Sequence, residues 1–99
     1  MLPRPLAVDD GAALFRLLGD PTRLSMLVEL ATTDELCVHE IAERVGANES
    51  KVSQALRLLR TAGVVRNRRD GRHIHYRLDD DHVRDLLAIT AAHLAHTTT

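Results

Sequence analysis

Apolar and polar positions recur along most of the chain with the 3.6-residue period of amphipathic helices. The first such stretch predicts a helix from about Gly11 to Leu18. A second helix is expected to begin at Pro21, because Asp20 is a good N-cap and proline suits the first helical position. The apolar positions that this second helix should turn towards the core are Leu24, Leu27, Val28 and Ala31.

The middle of the chain predicts two short helices in succession. CVHEIAERVG carries an apolar stripe and ends at Gly46, and SKVSQALRLLRTAG carries another and ends at Gly63. Two such helices joined by a short turn form the outline of a helix-turn-helix, here at about residues 38–62. The stripes comprise Val38, Ile41, Ala42 and Val45 in the first helix, and Val52, Leu56 and Leu59 in the second.

The segment VVRNRRDGRHIHYRL predicts a β-hairpin at about residues 64–78, because Asp-Gly between two β-prone runs favours a tight turn. Ile74 and Tyr76 alternate with polar and basic residues, so one face of the hairpin can pack while the other stays polar. A helix-turn-helix followed by a basic hairpin is a winged helix. The expected fold class is therefore mainly α with a small β-hairpin, and a last helix is predicted at about residues 81–96.

The length of 99 residues suits one small domain, for which a partner subunit is a common source of extra stability. We expect residues 1–10, with Pro3 and Pro5, to form an N-terminal arm and residues 11–96 to form the domain. The sequence has no membrane-length apolar run and no signal-peptide pattern, which predicts a cytoplasmic protein without a membrane partner. The lone Cys37 excludes an intrachain disulfide.

Charge is unevenly distributed, although the net charge is only −1. Residues 51–78 hold eight basic residues and one acidic residue, whereas the rest of the chain holds five basic and thirteen acidic residues. The resulting segment of net charge +7 suggests a polyanionic partner, most simply nucleic acid. The plain alternative is a solvated basic face.

The second helix of the helix-turn-helix would enter a major groove with its N-terminal turn. Short hydrogen-bonding groups there suit base edges, and Gln54 can pair with adenine through two hydrogen bonds. Arginines further along this helix and around the hairpin suit the phosphate backbone or a minor groove. The candidate DNA-binding residues are Ser50, Lys51, Ser53, Gln54, Arg57, Arg60, Arg66, Arg68, Arg69 and Arg72.

Three of the six histidines fall in the last predicted helix, within DDDHVRDLLAITAAHLAH. On a helical wheel His82, His93 and His96 share one stripe with Leu86 and Ile89. His82 and His93 would be about 16 Å apart along the axis, whereas metal–nitrogen bonds are about 2 Å long, so one chain cannot close a site around both. Two antiparallel copies related by a two-fold axis can, and they would form two identical sites. A second stripe, expected to pack on the domain's own core, comprises Val83, Leu87, Thr90 and Leu94.

These segments together resemble the ArsR/SmtB family of metal-sensing repressors. LLGDPTRLSMLVEL is similar to the family's second-helix signature, and ELCVHEIAERVG with ESKVSQALRLLRTAGVVRNRRDGRHIHYRL is similar to its third helix, recognition helix and wing. The resemblance covers about residues 11–96. It implies a homodimeric winged-helix repressor that binds an imperfect palindrome of operator DNA beside metal efflux or storage genes, and leaves when metal binds.

The pattern Asp-x-His-(ten residues)-His-x-x-His is similar to the C-terminal-helix site of the family's zinc sensors and of related nickel and cobalt sensors. By that resemblance the ligands are Asp80 and His82 of one subunit with His93 and His96 of the other. One carboxylate and three imidazoles suit Zn²⁺, whereas Ni²⁺ or Co²⁺ would take additional ligands. In the nickel-binding relatives an N-terminal arm with a histidine supplies further ligands. Because no histidine precedes His39 here, the resemblance favours zinc. The alternative is that these three histidines are ordinary surface residues near the C-terminus.

The resemblance also implies how the two sites communicate. In the family the counterpart of His93 reaches backbone at the end of the recognition helix, which corresponds here to the region near Gly63. Cys37 and His39 occupy the Cys-x-Cys position of the family's thiophilic-metal sensors, but the second cysteine is replaced, so Cys37 is interpreted as structural. His73 and His75 are expected to be phosphate-facing or solvated.

Three other functions compete with this interpretation. The trigger could be oxidation of Cys37 rather than metal, or the protein could store or carry metal without a DNA role. An enzyme is disfavoured, because the chain has neither a His-Glu-x-x-His motif nor a glycine-rich phosphate loop, and we expect no small organic substrate.

Overall fold

The protein is described over residues 5–97 in a computed structural model. Within that range the chain forms five α-helices and one three-stranded antiparallel sheet. Part of the predicted N-terminal arm, residues 1–4, lies outside the described residues. The elements are α1 (Val8–Leu18), α2 (Pro21–Thr32), β1 (Leu36–Cys37), α3 (Val38–Val45), α4 (Glu49–Thr61), β2 (Val65–Asp70), β3 (His73–Leu78) and α5 (Asp81–Thr97).

The N-terminus of α2 is capped as the sequence predicts. The Asp20 carboxylate accepts a hydrogen bond from the backbone N–H of Arg23 at 3.0 Å, and this bond lowers the pKa of the Asp20 carboxyl. Pro21 occupies the first helical turn. Helix α1 begins at Val8, three residues before the predicted Gly11. Its first turn carries Asp9 and Asp10, whose negative charges suit a helix N-terminus.

The buried face of α2 differs from the prediction. Leu24 and Val28 are 38% and 43% exposed, whereas Met26, Leu27 and Leu30 are fully buried. The helix is therefore turned by roughly a third of a turn from the expected orientation. It carries apolar residues on two faces, and periodicity alone does not say which of them meets α3 and β3.

Helices α3 and α4 form the predicted helix-turn-helix. Gly46 ends α3 in the left-handed conformation, with φ of 69°. Asn48 caps α4, and its side-chain carbonyl accepts a hydrogen bond from the N–H of Lys51 at 2.7 Å. The predicted stripe of α4 lies in the core, and the two central positions of the α3 stripe do too. The buried residues of these two helices are Ile41, Ala42, Val52, Ala55, Leu56 and Leu59.

The wing is one strand wider than the predicted hairpin. Strands β2 and β3 pair from Val65↔Leu78 to Asp70↔His73, and the turn between them contains Gly71, with φ of 63°, and Arg72. Strand β1, which the sequence patterns did not predict, pairs with the other edge of β3. A two-residue strand has too few positions to show an alternating pattern, so its existence depends on its partner strand.

The sheet has two faces, since successive side chains of a strand point in opposite directions. The inner face continues the core from Val65 and Leu78 and packs towards α4. The outer face points away from the core. The inner pairs beyond the core are Asn67↔Tyr76 and Arg69↔Ile74, and the outer pairs are Arg66↔Arg77, Arg68↔His75 and Asp70↔His73.

Among the residues that the structure describes, helix α5 packs against the core through its first half. Val83, Leu86 and Leu87 pack against the core, but no side chain of the described part of α5 is fully buried. The prediction that Thr90 and Leu94 also pack on the core is wrong, because Thr90 is exposed and Leu94 is 55% exposed. No helix among residues 5–97 is long and apolar enough to cross a membrane.

Candidate nucleic-acid interface and metal site

The exposed surface of α4 consists of an outward-facing strip and two flanks, one towards the wing and one towards α2. Ser50, Gln54 and Arg57 point straight outwards on the helical wheel, opposite the buried Val52, Ala55, Leu56 and Leu59. Two of these three lie in the first two turns, which is where a recognition helix meets base edges. All three are exposed in the structure.

The other predicted residues of α4 lie on its flanks. Ser53 and Arg60 face the wing and line a cleft that also contains Tyr76. Lys51 faces α2, where it lines a second cleft with Asp20 and other residues. The structure therefore places the predicted α4 residues on one exposed surface, but it directs Lys51 away from the wing.

The wing arginines are separated by the two faces of the sheet. On the outer face Arg66 pairs with Asp79 at 3.2 Å, and Arg68 pairs with Glu35 at 2.8 Å. The Nε of Arg68 also donates to both oxygens of the Glu35 carboxylate, at 3.0 and 2.8 Å. Among residues 5–97, no ion pair holds the two remaining candidates, which are Arg69 on the inner face and Arg72 in the turn.

The Glu35–Arg68 pair changes the ionisation of both groups. The hydrogen bonds from Arg68 lower the pKa of the Glu35 carboxyl, and the positive charges of Arg68, His75 and Arg77 lower it further. In return the Glu35 carboxylate raises the pKa of the Arg68 guanidinium. The sequence did not reveal this contact, since 33 positions separate the two residues and no local rule connects them.

Cys37 lies where β1 meets α3. It is the N-cap of α3 and pairs with His75 across the sheet. Its backbone N–H donates to the Glu40 carboxylate at 2.9 Å, which is one half of a capping box and lowers the pKa of Glu40. His39 lies between two carboxylates of the helix-turn-helix, at 3.4 Å from Glu43 and 3.3 Å from Glu49.

The first half of the candidate metal site is assembled within one chain. Asp80 lies just before α5, and its carboxylate accepts a hydrogen bond from the backbone N–H of His82 at 2.9 Å. The other oxygen of that carboxylate is 3.0 Å from the His82 Nδ1. The carboxylate and the imidazole that the sequence pairs are therefore adjacent, and the His82 side chain is 90% exposed.

The second half lies at the opposite end of the same helix. His93 and His96 are exposed and one turn apart in the last part of α5. Within residues 5–97 of a single chain, no group of three or more metal-ligating side chains is close enough to hold an ion. This agrees with the helical distance, which prevents one chain from closing a site around both ends of α5.

The expected contact between His93 and the end of the recognition helix does not occur within a single chain. No hydrogen bond joins His93 to the backbone near Gly63 among the residues that the structure describes. The second half of α5 extends away from the domain, so His93 is not held against α4.

The sequence is similar to known bacterial regulators. A family model described as bacterial regulatory protein, arsR family, matches residues 20–67. The HTH-type transcriptional regulator KmtR of Mycobacterium tuberculosis is 48% identical over 89 residues, which cover 86% of this chain and 67% of that protein. The cadmium resistance transcriptional regulatory protein CadC homolog of Staphylococcus aureus is 36% identical over 78 residues, which cover 79% of this chain and 64% of that protein.

The fold is similar to that of solved structures as well. One is the solution structure of the homodimeric winged helix-turn-helix DNA-binding domain of Mb0332 from Mycobacterium bovis, described as a possible ArsR-family transcriptional regulator. The TM-score is 0.81 at 30% sequence identity, and the match covers 97% of this chain and 95% of the other. The predicted winged helix-turn-helix fold is thereby confirmed.

Proposed function

Because the chain belongs to the arsR family of bacterial regulatory proteins, we propose that it is a metal-responsive transcriptional repressor that releases operator DNA when metal binds. The observation that carries the proposal is the pairing of two surfaces on one small domain. One is the exposed recognition helix with its basic wing, and the other is α5, with Asp80 and His82 at one end and two histidines at the other. Because this family consists of regulatory proteins, we do not assign the chain an enzymatic activity.

DNA binding would use the exposed strip of α4. Ser50 and Gln54 have the donors and acceptors that read base edges in a major groove, and Arg57 lies further along the same strip. The wing supplies sequence-independent attraction to the phosphate backbone. A two-fold dimer presents two such helices to successive major grooves, so the operator would be an imperfect palindrome.

Dimerisation would cover the apolar side chains that the single chain leaves exposed. Ile89 and Leu94 of α5 are 66% and 55% exposed, and Phe15 of α1 is 60% exposed. Large exposed apolar patches often mark protein–protein contacts. The similarity to a homodimeric domain supports the same arrangement here.

The residues of α5 fit a metal that bridges two subunits. Asp80 and His82 already lie within hydrogen-bond distance of each other, and His93 and His96 of the partner subunit would complete the set. One carboxylate and three imidazoles suit tetrahedral Zn²⁺, our preferred ion, while Ni²⁺ or Co²⁺ would recruit further ligands. A bound ion would cross-link the two α5 helices at both ends of their contact.

The structure also supports a route from α5 to the DNA-binding surface. Asp79 directly precedes Asp80, its carboxylate pairs with Arg66 of the wing, and its backbone N–H donates to the Val64 carbonyl at 3.0 Å. Val83 packs on the core one turn later. A change in the angle between paired α5 helices would therefore move the wing and α4 as one body with the start of α5.

The test begins with an operator selected from a random duplex pool by the metal-free protein. Fluorescence anisotropy should show that Zn²⁺ weakens binding to this operator by about tenfold or more, which is the usual range of coupling between two sites. Asp80→Asn and His93→Ala should bind the operator like wild type and lose the response to zinc. Cys37→Ser is the matched control and should keep the response.

Two outcomes would contradict the proposal. Operator binding that ignores Zn²⁺, Ni²⁺ and Co²⁺ would remove the metal trigger. A response that persists in His93→Ala but disappears in Cys37→Ser would place the trigger at the thiol.

A further inference from the structure

A small cleft lies between the recognition helix and the inner face of the wing. Its volume is about 150 Å³, and its lining is formed by Ser53, Leu56, Arg57, Arg60 and Tyr76. The lining includes two guanidinium groups and two hydroxyl groups, but no carboxylate. By contrast, a larger cleft at the start of α5 is lined by four aspartates, a glutamate and two arginines.

The polar groups of this cleft are not engaged with other parts of the chain. Among residues 5–97, neither Arg57 nor Arg60 is in an ion pair, and the Tyr76 hydroxyl makes no hydrogen bond. That hydroxyl is not a buried orphan either, because no polar side-chain atom among the described residues is buried without a partner. The cleft thus offers two positive charges and two hydroxyl donors to a ligand from solvent.

The position of the cleft indicates what that ligand is. One wall is α4, whose outward strip would enter the major groove, and the other is the wing. A duplex separates its major groove from the adjacent minor groove by one sugar-phosphate strand. A cleft between an element in the major groove and a wing beside it therefore lies over that strand.

From this geometry, and resting on the proposed DNA-binding function, we infer that the cleft is a seat for one backbone phosphate of duplex DNA. Arg57 and Arg60 supply the charge-assisted hydrogen bonds, and Ser53 and Tyr76 donate from their hydroxyls. The cleft volume of about 150 Å³ leaves room for a group of the size of a phosphodiester PO₄ unit.

The seat assigns a DNA contact to Tyr76, which sequence reasoning treated only as a packing residue. It also separates the arginines by role. Arg57 and Arg60 neutralise phosphate, whereas Arg66 and Arg68 remain paired with the carboxylates on the outer face of the wing.

The experiment measures binding of the full-length, metal-free protein to a labelled random-sequence duplex over a range of salt concentrations. Phosphate contacts do not depend on sequence, and each cation that neutralises a phosphate adds about 0.9 to the slope of log affinity against log salt. The variants are Tyr76→Phe, which removes only the hydroxyl, and Arg60→Gln. The matched control is Arg44→Gln, which removes an equal charge from α3, where Arg44 pairs with Glu29.

We expect Tyr76→Phe to bind about tenfold more weakly with an unchanged salt slope, because a neutral donor to a charged group is lost. Arg60→Gln should reduce the slope by about 0.9 per subunit, or about 1.8 per dimer. Arg44→Gln should keep the wild-type slope. Thermal unfolding confirms that each variant is folded, and if Tyr76→Phe is not, the difference between the two arginine variants decides.

The seat would be refuted by folded Tyr76→Phe that binds like wild type, or by Arg44→Gln losing as much slope as Arg60→Gln. Wild-type protein that fails to bind duplex DNA would instead refute the proposed function, and the seat with it. Salt-dependent binding by wild type together with wild-type behaviour of both seat variants would refute the seat alone.

Discussion

At the scale of single residues, the carboxylate of Glu35 decides what Arg68 can do. The two side chains form a hydrogen-bonded ion pair that connects the segment before β1 to β2, on the far side of the central strand β3. The side chain of Glu35 is only 23% exposed, so water screens this pair less than a fully exposed one. Arg68 therefore joins the edges of the wing instead of adding a free charge to its surface.

We predict that Glu35→Gln lowers the stability of the domain in a pH-dependent way. Since the folded pKa of Glu35 lies below its ordinary 4.5, its contribution is present above pH 4.5 and disappears as the pH falls through the folded pKa. Wild type and Glu35→Gln should thus differ in Tm by a few degrees at most at pH 7, and this gap should close below about pH 4.5.

Thermal unfolding followed by circular dichroism across this pH range measures the gap. Asp34→Asn is the control, because Asp34 is a neighbouring exposed carboxylate that no ion pair holds among the described residues. A gap that is constant from pH 7 to pH 3 would show that the glutamine acts through something other than the lost charge.

At the scale of elements, α5 packs on the core of its own domain through only part of its described length. Its first half is fixed to the core by Val83, Leu86 and Leu87, while Ile89 remains 66% exposed. Helical periodicity assigned Leu94 to the core, but α5 extends beyond the core and Leu94 is 55% exposed. Ile89 lies on the same helical stripe as the histidines of α5, which we call the α5 seam. Dimer contact and metal binding would therefore use one face of α5.

We predict that Ile89→Glu weakens dimerisation by at least about tenfold, because the interface would bury an unpaired charge. Sedimentation velocity over a dilution series measures this change, and circular dichroism should show an unchanged fold. Ala88→Glu places the same charge on the exposed neighbour that points to another side of α5, and it should remain dimeric. If both variants dissociated into monomers to the same extent, the α5 seam would not be the dimer interface.

At the scale of the whole molecule, the candidate metal ligands of α5 and the candidate DNA-binding residues belong to different elements of one domain. The start of α5 is attached to the wing through Asp79, which pairs with Arg66 and bonds to the backbone of Val64. The proposed response therefore needs no change within the domain, only a change in how two domains are oriented by their α5 helices. Such coupling is reciprocal, since it is a free energy shared by two binding equilibria.

We predict that saturating operator DNA weakens zinc binding by the same factor, about tenfold or more, by which zinc weakens DNA binding. Competition with a zinc chelator, with and without the selected operator, measures this factor directly. Asp80→Asn should bind zinc more weakly in both conditions. Zinc affinity that is independent of DNA would mean that any release of DNA by zinc does not occur through the dimer described here.

The sequence by itself determined the features that depend on neighbours within about one helical turn or one hairpin. The Asp20 and Asn48 caps, the stop at Gly46 and the turn at Gly71 each involve residues close together in the chain, so their types specify the local backbone. The order of elements followed, and with it the winged-helix class. Spacing along one helix was also enough to show that His82 cannot share a metal with His93 or His96 of the same chain.

Only the tertiary structure decided which faces and charges are used. The orientation of α2, the existence of β1 and the pairing of Glu35 with Arg68 depend on groups brought together from distant parts of the chain. The cleft that contains Tyr76 arises in the same way, between a helix and a strand that come together only in the folded domain. The sequence shows which residues are apolar or charged. Whether such a residue is buried or paired depends on the other elements that pack against it in the folded domain.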